Sequence, residues 1–156
     1  MRLTTYTDFS LRMLMFLALK PDGLATINEV AIAYGISKNH LMKVAYELGL
    51  AGYVVTIRGK GGGLRLSREP QLITLGEVVR KTEPDMALVP CFAPVDAPCV
   101  IFECCVLKKA LREAREVFLR HLDTYTLADL TRPKAGLAVR LGLTSAASDG
   151  EIHCMP

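Results

Sequence analysis

Residues 26–49, TINEVAIAYGISKNHLMKVAYELG, predict two short helices separated by a tight turn. Thr26 and Glu29 have the spacing of a capping box, in which each side chain hydrogen-bonds the backbone N–H of the other residue, so the first helix begins beside Thr26. Gly35 supplies the left-handed residue that commonly follows a helix. Ser37 is a suitable N-cap for the second helix. Two helices joined by about three residues around a glycine are typical of a helix-turn-helix motif.

The second helix of this motif is expected to span residues 38–48 and to end at Gly49. Another helix is predicted upstream, at residues 8–19 (DFSLRMLMFLAL), because this run is apolar and Thr7 is a suitable N-cap for it. The sequence KPDG at 20–23 is a stop signal for that helix.

A β-wing is predicted directly after the two helices. Residues 53–57 (YVVTI) are β-branched and aromatic, which favours a strand. The basic, glycine-rich run at 58–63 (RGKGGG) forms no regular element, and residues 64–66 (LRL) alternate as a second strand does. Helix, helix-turn-helix and wing together predict a winged helix-turn-helix fold, mainly α with a small β-wing.

The chain beyond the wing falls into a short helix, an irregular segment and a long helix. Thr74 and Glu77 open a helix that runs to about Lys81. The next segment, about 84–103, has four prolines within 15 residues, which exclude both a helix and a central strand. A loop of that length is usually functional or disordered.

A long helix is predicted from about 104 to 129, where apolar and aromatic residues recur at steps of four and three, a coiled-coil-like seam: Leu107, Leu111, Ala114, Phe118, His121 and Tyr125. We expect this seam to form a dimer contact; the alternative is packing against its own domain. The predicted organisation is therefore a winged helix-turn-helix domain at 1–83, a cysteine-bearing loop at 84–105, a dimerisation helix at 104–130 and a disordered tail at 131–156.

The composition is that of one globular domain: of 156 residues, 51% are hydrophobic and 22% charged, with a net charge of +3. Residues 1–70 carry nine Lys or Arg against five Asp or Glu, so this part is the candidate polyanion surface. Asp8 and Arg12 interrupt the apolar N-terminal stretch, which argues against a signal peptide, and no uncharged run is long enough for a transmembrane helix. We therefore expect a cytoplasmic protein without membrane contact.

The predicted second helix and the wing carry the candidate DNA contacts. Residues on the first two turns of such a helix enter the major groove, where Asn binds adenine and Lys reaches guanine acceptors or phosphates. Basic residues in a wing contact the minor groove or the backbone, and glycines permit its close approach. The predicted DNA-binding residues are Ser37, Lys38, Asn39, His40, Lys43, Arg58, Lys60, Gly61 and Gly62. A solvated basic face, or a winged helix that binds protein, is the alternative.

Five cysteines in a reducing compartment favour metal ligands, redox sensors or core residues over structural disulfides. Seven residues separate Cys91 from Cys99, and five separate Cys99 from Cys105. This wide spacing lacks the CxxC pairs of zinc ribbons and suits an iron–sulfur cluster, although free thiols or a reversible disulfide remain alternatives. Cys104 adjoins Cys105 and points about 100° away from it if helix has begun. Cys154, in the predicted tail, is expected to be a bystander thiol.

Four segments of the chain resemble the NsrR family of nitric-oxide-sensing bacterial repressors. They are residues 1–9 (MRLTTYTDF), 35–43 (GISKNHLMK), 55–63 (VTIRGKGGG) and 125–130 (YTLADL). NsrR belongs to a winged-helix family that also includes the iron–sulfur regulator IscR. The resemblance covers about residues 1–130 and leaves the tail unmatched.

The resemblance implies a homodimeric repressor with one iron–sulfur cluster per subunit, whose nitrosylation by nitric oxide releases a two-fold symmetric operator. Its three cysteine ligands fall on Cys91, Cys99 and Cys105, and Asp8 of the partner subunit is the implied fourth ligand. A four-iron cluster is favoured over a two-iron cluster. From the residues alone, Asp8 is an acid that favours a helix N-terminus. Cys104 is a departure from the family pattern that leaves the last ligand open.

Two further readings compete with this one. An IscR-like [2Fe–2S] regulator has a histidine three residues after the last cysteine, and Lys108 stands there instead, so the sequence sides with the NsrR type. A thiol switch that reports oxidation or iron status is the other regulator. We expect no enzyme, because the glycine run at 59–63 precedes a strand rather than a nucleotide-binding helix.

Overall fold

The computed structural model describes residues 2–92, 99–132 and 134–143. The longer elements, in chain order, are α1 (Thr5–Leu19), α2 (Ile27–Tyr34), α3 (Lys38–Leu50), β1 (Val54–Ile57), β2 (Gly63–Leu66), α4 (Leu75–Thr82), α5 (Val106–Asp123), α6 (Leu127–Leu130) and α7 (Lys134–Arg140). Short 3-10 turns lie at Pro70–Leu72, Pro90–Phe92 and Phe102–Cys104. The predicted class, mainly α with a two-stranded wing, is confirmed.

The turn between α2 and α3 has the predicted local chemistry. The Thr26 hydroxyl accepts the N–H of Glu29 at 3.2 Å, and the Glu29 carboxylate accepts the N–H of Thr26 at 2.7 Å. Gly35 follows α2 with φ of +64°, a conformation that favours glycine. These bonds fix the start and the end of α2, so the capping-box prediction is confirmed.

Helix α3 ends later than predicted. Gly49 was expected to stop it, but the helix continues to Leu50, and the left-handed residue is Gly52, with φ of +78°. The Tyr53 N–H then bonds the Leu48 carbonyl at 2.9 Å, which closes the helix end. Ser37 takes the predicted N-cap position, but its side chain makes no capping bond.

Helix α1 begins one turn earlier than predicted, and Thr4, not Thr7, is its N-cap. The Thr4 hydroxyl accepts the Thr7 N–H at 3.2 Å, while the Glu83 carboxylate accepts the Thr4 N–H at 2.8 Å. Thr7 is buried inside the helix. A carboxylate at a helix N-terminus is favourable, and this one comes from the chain segment just after α4.

The wing is a two-stranded antiparallel sheet in which Val54 pairs with Leu66 and Ile57 with Gly63. A bridge between Ala25 and Leu64 joins the sheet to the segment before α2. A side chain on Gly63 would place its Cβ 2.7 Å from the Ala25 carbonyl oxygen, closer than any normal contact. The glycine therefore permits the wing to pack against the two-helix motif.

Helix α1 lies at the centre of the core. Its side chains Met13, Leu14, Phe16 and Leu17 are almost completely buried. They belong to one hydrophobic cluster with residues of α2, α3, both strands, α4 and α6. Burying each such side chain contributes about 1.5–3 kcal/mol, so this helix holds the other elements together.

The predicted helix at 104–130 is two helices rather than one. Cys104 belongs to a 3-10 turn, α5 ends at Asp123, and α6 covers Leu127–Leu130. At the break, Thr126 opens α6 in a capping box with Asp129, and the Leu75 N–H bonds the Tyr125 carbonyl at 2.8 Å.

An ion pair fixes α5 to α4 at the same place. Both carboxylate oxygens of Asp123 accept a hydrogen bond from Arg80, each at 2.6 Å. A Cβ on Gly76 of α4 would lie 2.0 Å from the Asp123 carboxylate, so the two helices meet at this glycine.

Part of the predicted disordered tail is a helix. The short helix α7 buries Gly136 and Ala138, and Leu141 and Leu143 pack against the hydrophobic cluster. The apolar run GLAVRLGL is too short for a clear periodicity, and tertiary contacts with α1 complete it. Residues 144–156, with Cys154, lie outside the described residues.

No helix in the described part of the chain is both long enough and apolar enough to cross a membrane.

The capping box of α2 generates a pH-dependent prediction. A hydrogen bond from the Lys20 ammonium, followed by one from the Thr26 N–H, lowers the pKa of Glu29 from 4.5 to about 2. A lowered folded-state pKa contributes stability that is present above pH 4.5 and is lost as the pH falls towards 2.

Glu29→Gln should therefore cost about 0.5–1 kcal/mol at pH 7, a modest value because 41% of the Glu29 side chain is exposed. Urea unfolding at pH 7 and pH 3 measures this difference. The difference in the free energy of unfolding between the wild type and the variant should be smaller at pH 3 than at pH 7. An equal difference at both pH values would contradict the prediction.

Candidate nucleic-acid interface and cysteine loop

Helix α3 presents the predicted major-groove residues on one exposed surface. Its opposite face is buried through Leu41, Val44 and Leu48. This burial leaves the whole predicted set exposed: Ser37, Lys38, Asn39, His40 and Lys43. Among the described residues, no carboxylate lies within ion-pair distance of either lysine. Their charges therefore face solvent, as contact with phosphate or base edges requires.

The sequence argument missed two residues on the same surface. Met42 and Tyr46 are 50% and 65% exposed, although large apolar side chains are usually covered. They follow Asn39 at spacings of three and seven, which places all three residues on one face of the helix. Apolar side chains in the major groove contact thymine methyl groups. The signal available in the sequence was this spacing from Asn39.

The wing presents its predicted residues at the tip of the sheet. Arg58, Lys60 and Gly61 are exposed, and Gly62 is half-buried. The turn is closed by a hydrogen bond from the Gly62 N–H to the Gly59 carbonyl at 3.0 Å. The two basic side chains flank a backbone that carries little bulk, so the tip is shaped for close approach to a nucleic-acid backbone.

Each predicted cysteine ligand occupies a distinct position in the loop. Cys91 is half-buried in the turn Pro90–Phe92, and Cys99 is exposed. Cys105 is half-buried and is the N-cap of α5, where its sulfur accepts the Lys108 N–H at 3.3 Å. Cys104 is exposed, and its sulfur points instead to the Ile101 carbonyl at 3.7 Å. None of these four forms a disulfide, and residues 93–98 lie outside the described residues.

In residues 2–92, 99–132 and 134–143, no three His, Cys, Asp or Glu side chains come close enough to hold a single metal ion. The structure of one chain therefore does not assemble Cys91, Cys99, Cys105 and Asp8 into a mononuclear site. The donor chemistry nonetheless fits an iron–sulfur cluster, because three unpaired thiols on one loop are the ligand type such clusters take. A cluster spans more space than a single ion, so it accepts wider spacing.

Two cation–π contacts attach the cysteine loop to α5. The Arg115 guanidinium lies 5.3 Å from the ring centroid of Phe92, which follows Cys91 directly. The Lys108 ammonium lies 3.0 Å from the ring centroid of Phe102, in the turn that ends at Cys104. Both flanks of the segment between the first and last cysteines are thus held by the same helix.

Asp8 lies in the first turn of α1 and is 45% exposed at its side chain. Both its carboxylate oxygens lie near the Arg12 Nε, at 2.9 and 3.0 Å. The Arg12 guanidinium also lies 5.7 Å from the ring centroid of Tyr34 in α2. The carboxylate is thus placed at the surface, where a group from outside the chain has access to it.

The chain is similar to known transcriptional regulators in sequence. It is 55% identical over 135 residues to the HTH-type transcriptional regulator NsrR of Bacillus subtilis (strain 168), which covers 86% of this chain and 92% of the relative. It is 50% identical over 138 residues to the regulator of the same name from Geobacillus kaustophilus (strain HTA426), with 88% and 94% covered. The predicted resemblance to NsrR is confirmed.

Solved structures show the same fold. The global cysteine regulator CymR of B. subtilis matches with a TM-score of 0.68 and 27% identity, over 83% of this chain and 95% of that one. T. potens IscR matches with a TM-score of 0.68 and 24% identity, over 85% and 88%. A model of the Rrf2 family, described as iron-dependent transcriptional regulator, matches residues 3–133. The family model over residues 3–133 and the sequence relatives show, together with the winged-helix fold, that the chain belongs to the Rrf2 family of transcriptional regulators.

Proposed function

We propose that this protein is a cytoplasmic, homodimeric repressor that binds a two-fold symmetric operator and releases it in response to nitric oxide. The observation that carries the proposal is the position of the cysteine loop. The loop connects the winged helix-turn-helix domain at residues 1–83 to α5, and cation–π contacts fix it to that helix. A change in the conformation of the loop would therefore affect both the DNA-binding domain and the dimer contact. The proposed role is regulatory and not enzymatic.

The DNA contacts divide between reading and positioning. Asn39 and Lys43 of α3 reach base edges in the major groove, and Lys38 and the helix N-terminus bind phosphate. Ser37 and His40 flank these contacts on the same exposed surface. In the wing, Arg58 and Lys60 contact the backbone or the minor groove, with Gly61 and Gly62 at the closest approach. The exposure of these residues, with Gly62 half-buried, supports the assignments.

Helix α5 is proposed to form the dimer contact. Within the described chain, Leu119 is the one buried residue of its 18. Val106, Leu107 and Val117 are exposed although they are apolar. An apolar helix face without a cover in the monomer favours a partner helix. A dimer then presents two α3 helices to successive major grooves, which requires a two-fold symmetric operator.

The cluster ligands are proposed to be Cys91, Cys99 and Cys105 of one subunit with Asp8 of the partner subunit. Such a cluster, when bound, would supply an iron atom open to nitric oxide. A carboxylate is a harder and weaker ligand for that iron than a thiolate, so Asp8 is the ligand most readily displaced. A four-iron cluster is favoured over a two-iron cluster.

Cys105 is favoured over Cys104 as the third thiol. Its sulfur is the N-cap of α5 and accepts the Lys108 N–H at 3.3 Å. The Cys104 sulfur is exposed, points towards the Ile101 carbonyl at 3.7 Å and caps no helix in the described part of the chain. Lys108 stands where an IscR-type regulator has its histidine ligand, and its ammonium covers Phe102 instead.

Asp8 is proposed to report the state of the loop to the DNA-reading domain. Its ion pair with Arg12 extends to Tyr34, so α1 and α2 meet at this carboxylate. A ligand bond from Asp8 to the partner's cluster would replace its ion pair with Arg12 and link α1 to the other subunit. Without this bond, the two α3 helices of the dimer would lose their fixed spacing.

The test uses full-length protein purified without oxygen and a duplex that the protein itself selects from a random library. Loaded wild-type protein should retard this duplex, and nitric oxide should release it. In Asp8→Ala, the affinities of the loaded and the cluster-free protein should differ much less, because the tie between subunits is missing. Fluorescence anisotropy measures both affinities.

Asp22→Ala is the matched control, since Asp22 is an exposed acid in the turn after α1. It should behave as the wild type. Retention of the full nitric oxide response by Asp8→Ala would contradict the role of Asp8, and wild-type protein that stays bound under nitric oxide would contradict the function.

The Arg115–Phe92 contact generates a second prediction. Arg115→Gln removes a cation–π contact worth about 0.5–1 kcal/mol and should loosen the turn that carries Cys91. The alkylation rate of Cys91 should rise roughly twofold to fivefold. In cluster-free protein, Cys91 should react faster with iodoacetamide, as peptide mass spectrometry would show. In loaded protein, the visible absorbance of the cluster should decay faster in air.

Arg112→Gln is the control for this measurement, because Arg112 is exposed on the same helix and makes no ion pair with any residue that the structure describes. Equal alkylation rates in the two variants would show that Arg115 does not hold the loop.

A further inference from the structure

A groove of about 700 Å³ lies beside α3, between the start of α1 and the end of α4. The apolar and aromatic part of its lining comes from Tyr6, Phe9 and Val44. No residue of the end of α4 was predicted to contact DNA. Two of its lining residues, His40 and Lys43, are among the predicted DNA contacts, so the groove is continuous with the reading surface.

The charges that line the groove are mainly positive. Lys43 stands on the α3 side and Lys81 on the α4 side, both exposed, and His40 adds an imidazole. Among the described residues, Glu47 is the one carboxylate that lines the groove, and Glu83 nearby accepts hydrogen bonds from the N–H and the hydroxyl of Thr4. No described carboxylate pairs with either lysine. The lining therefore complements an anion better than a cation.

The dimensions of DNA indicate which anion would lie in the groove beside α3. An α-helix with its side chains is about 10–12 Å across, and the major groove is about 12 Å wide. The phosphates of the two strands must therefore run along both flanks of a helix that enters this groove. On α3, the outward surface belongs to Asn39 and Tyr46, and the flank towards α1 and α4 carries His40, Lys43 and Glu47. The groove lies along this flank.

We propose that the groove receives the sugar–phosphate backbone of one operator strand and that Lys81, at the end of α4, is a phosphate contact. This inference rests on the proposed entry of α3 into the major groove. Lys81 lies two residues before Glu83, which caps α1, and three before Pro84, where the cysteine loop begins. The contact would place the start of that loop against the DNA.

The test is the salt dependence of binding to a fluorescein-labelled 30-base-pair duplex of random sequence, measured with full-length protein. Each lost phosphate contact lowers the magnitude of the slope of log K against log salt by about 0.9, so Lys81→Gln in both subunits should lower it by about 1.8. If the wild type and the variant bind equally at 1 M salt, the affinity at 100 mM salt should fall roughly 60-fold. Lys109→Gln, on the outward side of α5, is the control and should leave the slope unchanged.

The outcomes separate this inference from the proposed function. If Lys43→Gln weakens binding and Lys81→Gln does not, the groove is no backbone site and the proposed reading surface stands. If neither variant changes binding, both proposals fail. If Lys81→Gln changes the fraction of dimer in analytical ultracentrifugation, the groove contacts the partner subunit and the inference is overturned. The inference is also overturned if inorganic phosphate binds saturably, Lys81→Gln abolishes that binding, and the slope of log K against log salt for DNA stays the same.

Discussion

The burial of α1 is the constraint on which the rest of the structure depends. Phe16, Met13 and Leu14 fill the centre of the molecule, and helices from both ends of the chain pack around them. Because this face is buried, the opposite face of the first turns is fixed at the surface. That face carries Asp8, while Phe9 lies on the same side of the helix as Met13 and Phe16, with its ring 6.3 Å from that of His40 on α3. The proposed sensing and reading residues are therefore supported by one rigid element.

The cysteine loop lies between two helices, α4 and α5, that are both held to the domain. The end of α4 reaches α1 through Glu83 and reaches the far end of α5 through Arg80 and Asp123, so the helices before and after the cysteine loop are both held to the domain. The loop itself is held by side chains of α5 and by the cap at Cys105. A loop between two fixed helices can change its own conformation without unfolding the domain, which suits a sensor. The proposed phosphate contact at Lys81 would extend this arrangement to the DNA.

The sequence predicted what local chemistry decides. The capping box at Thr26 and the left-handed Gly35 depend on neighbours within four residues, and both were correct. Thr4 caps α1 through a local bond from the Thr7 N–H, but the Glu83 carboxylate that accepts the Thr4 N–H lies 79 residues away, where no local pattern contains it. The helix α7 depends on distant contacts with α1, whereas the break after α5 has a local signal in the capping box of Thr126 and Asp129. The exposure of the predicted DNA contacts on α3 could be predicted from the sequence. The groove beside α3 could not, since three separate elements form it.

The proposed regulation depends on an iron–sulfur cluster that the cysteine loop holds and that controls DNA binding. The decisive measurement is iron and acid-labile sulfide per chain, on full-length protein purified without oxygen. We expect about four of each, held by three thiols and one carboxylate. About two of each would replace the four-iron cluster by the two-iron type. Neither iron nor sulfide, with Cys91, Cys99 and Cys105 all reacting as free thiols, would overturn the proposed regulation.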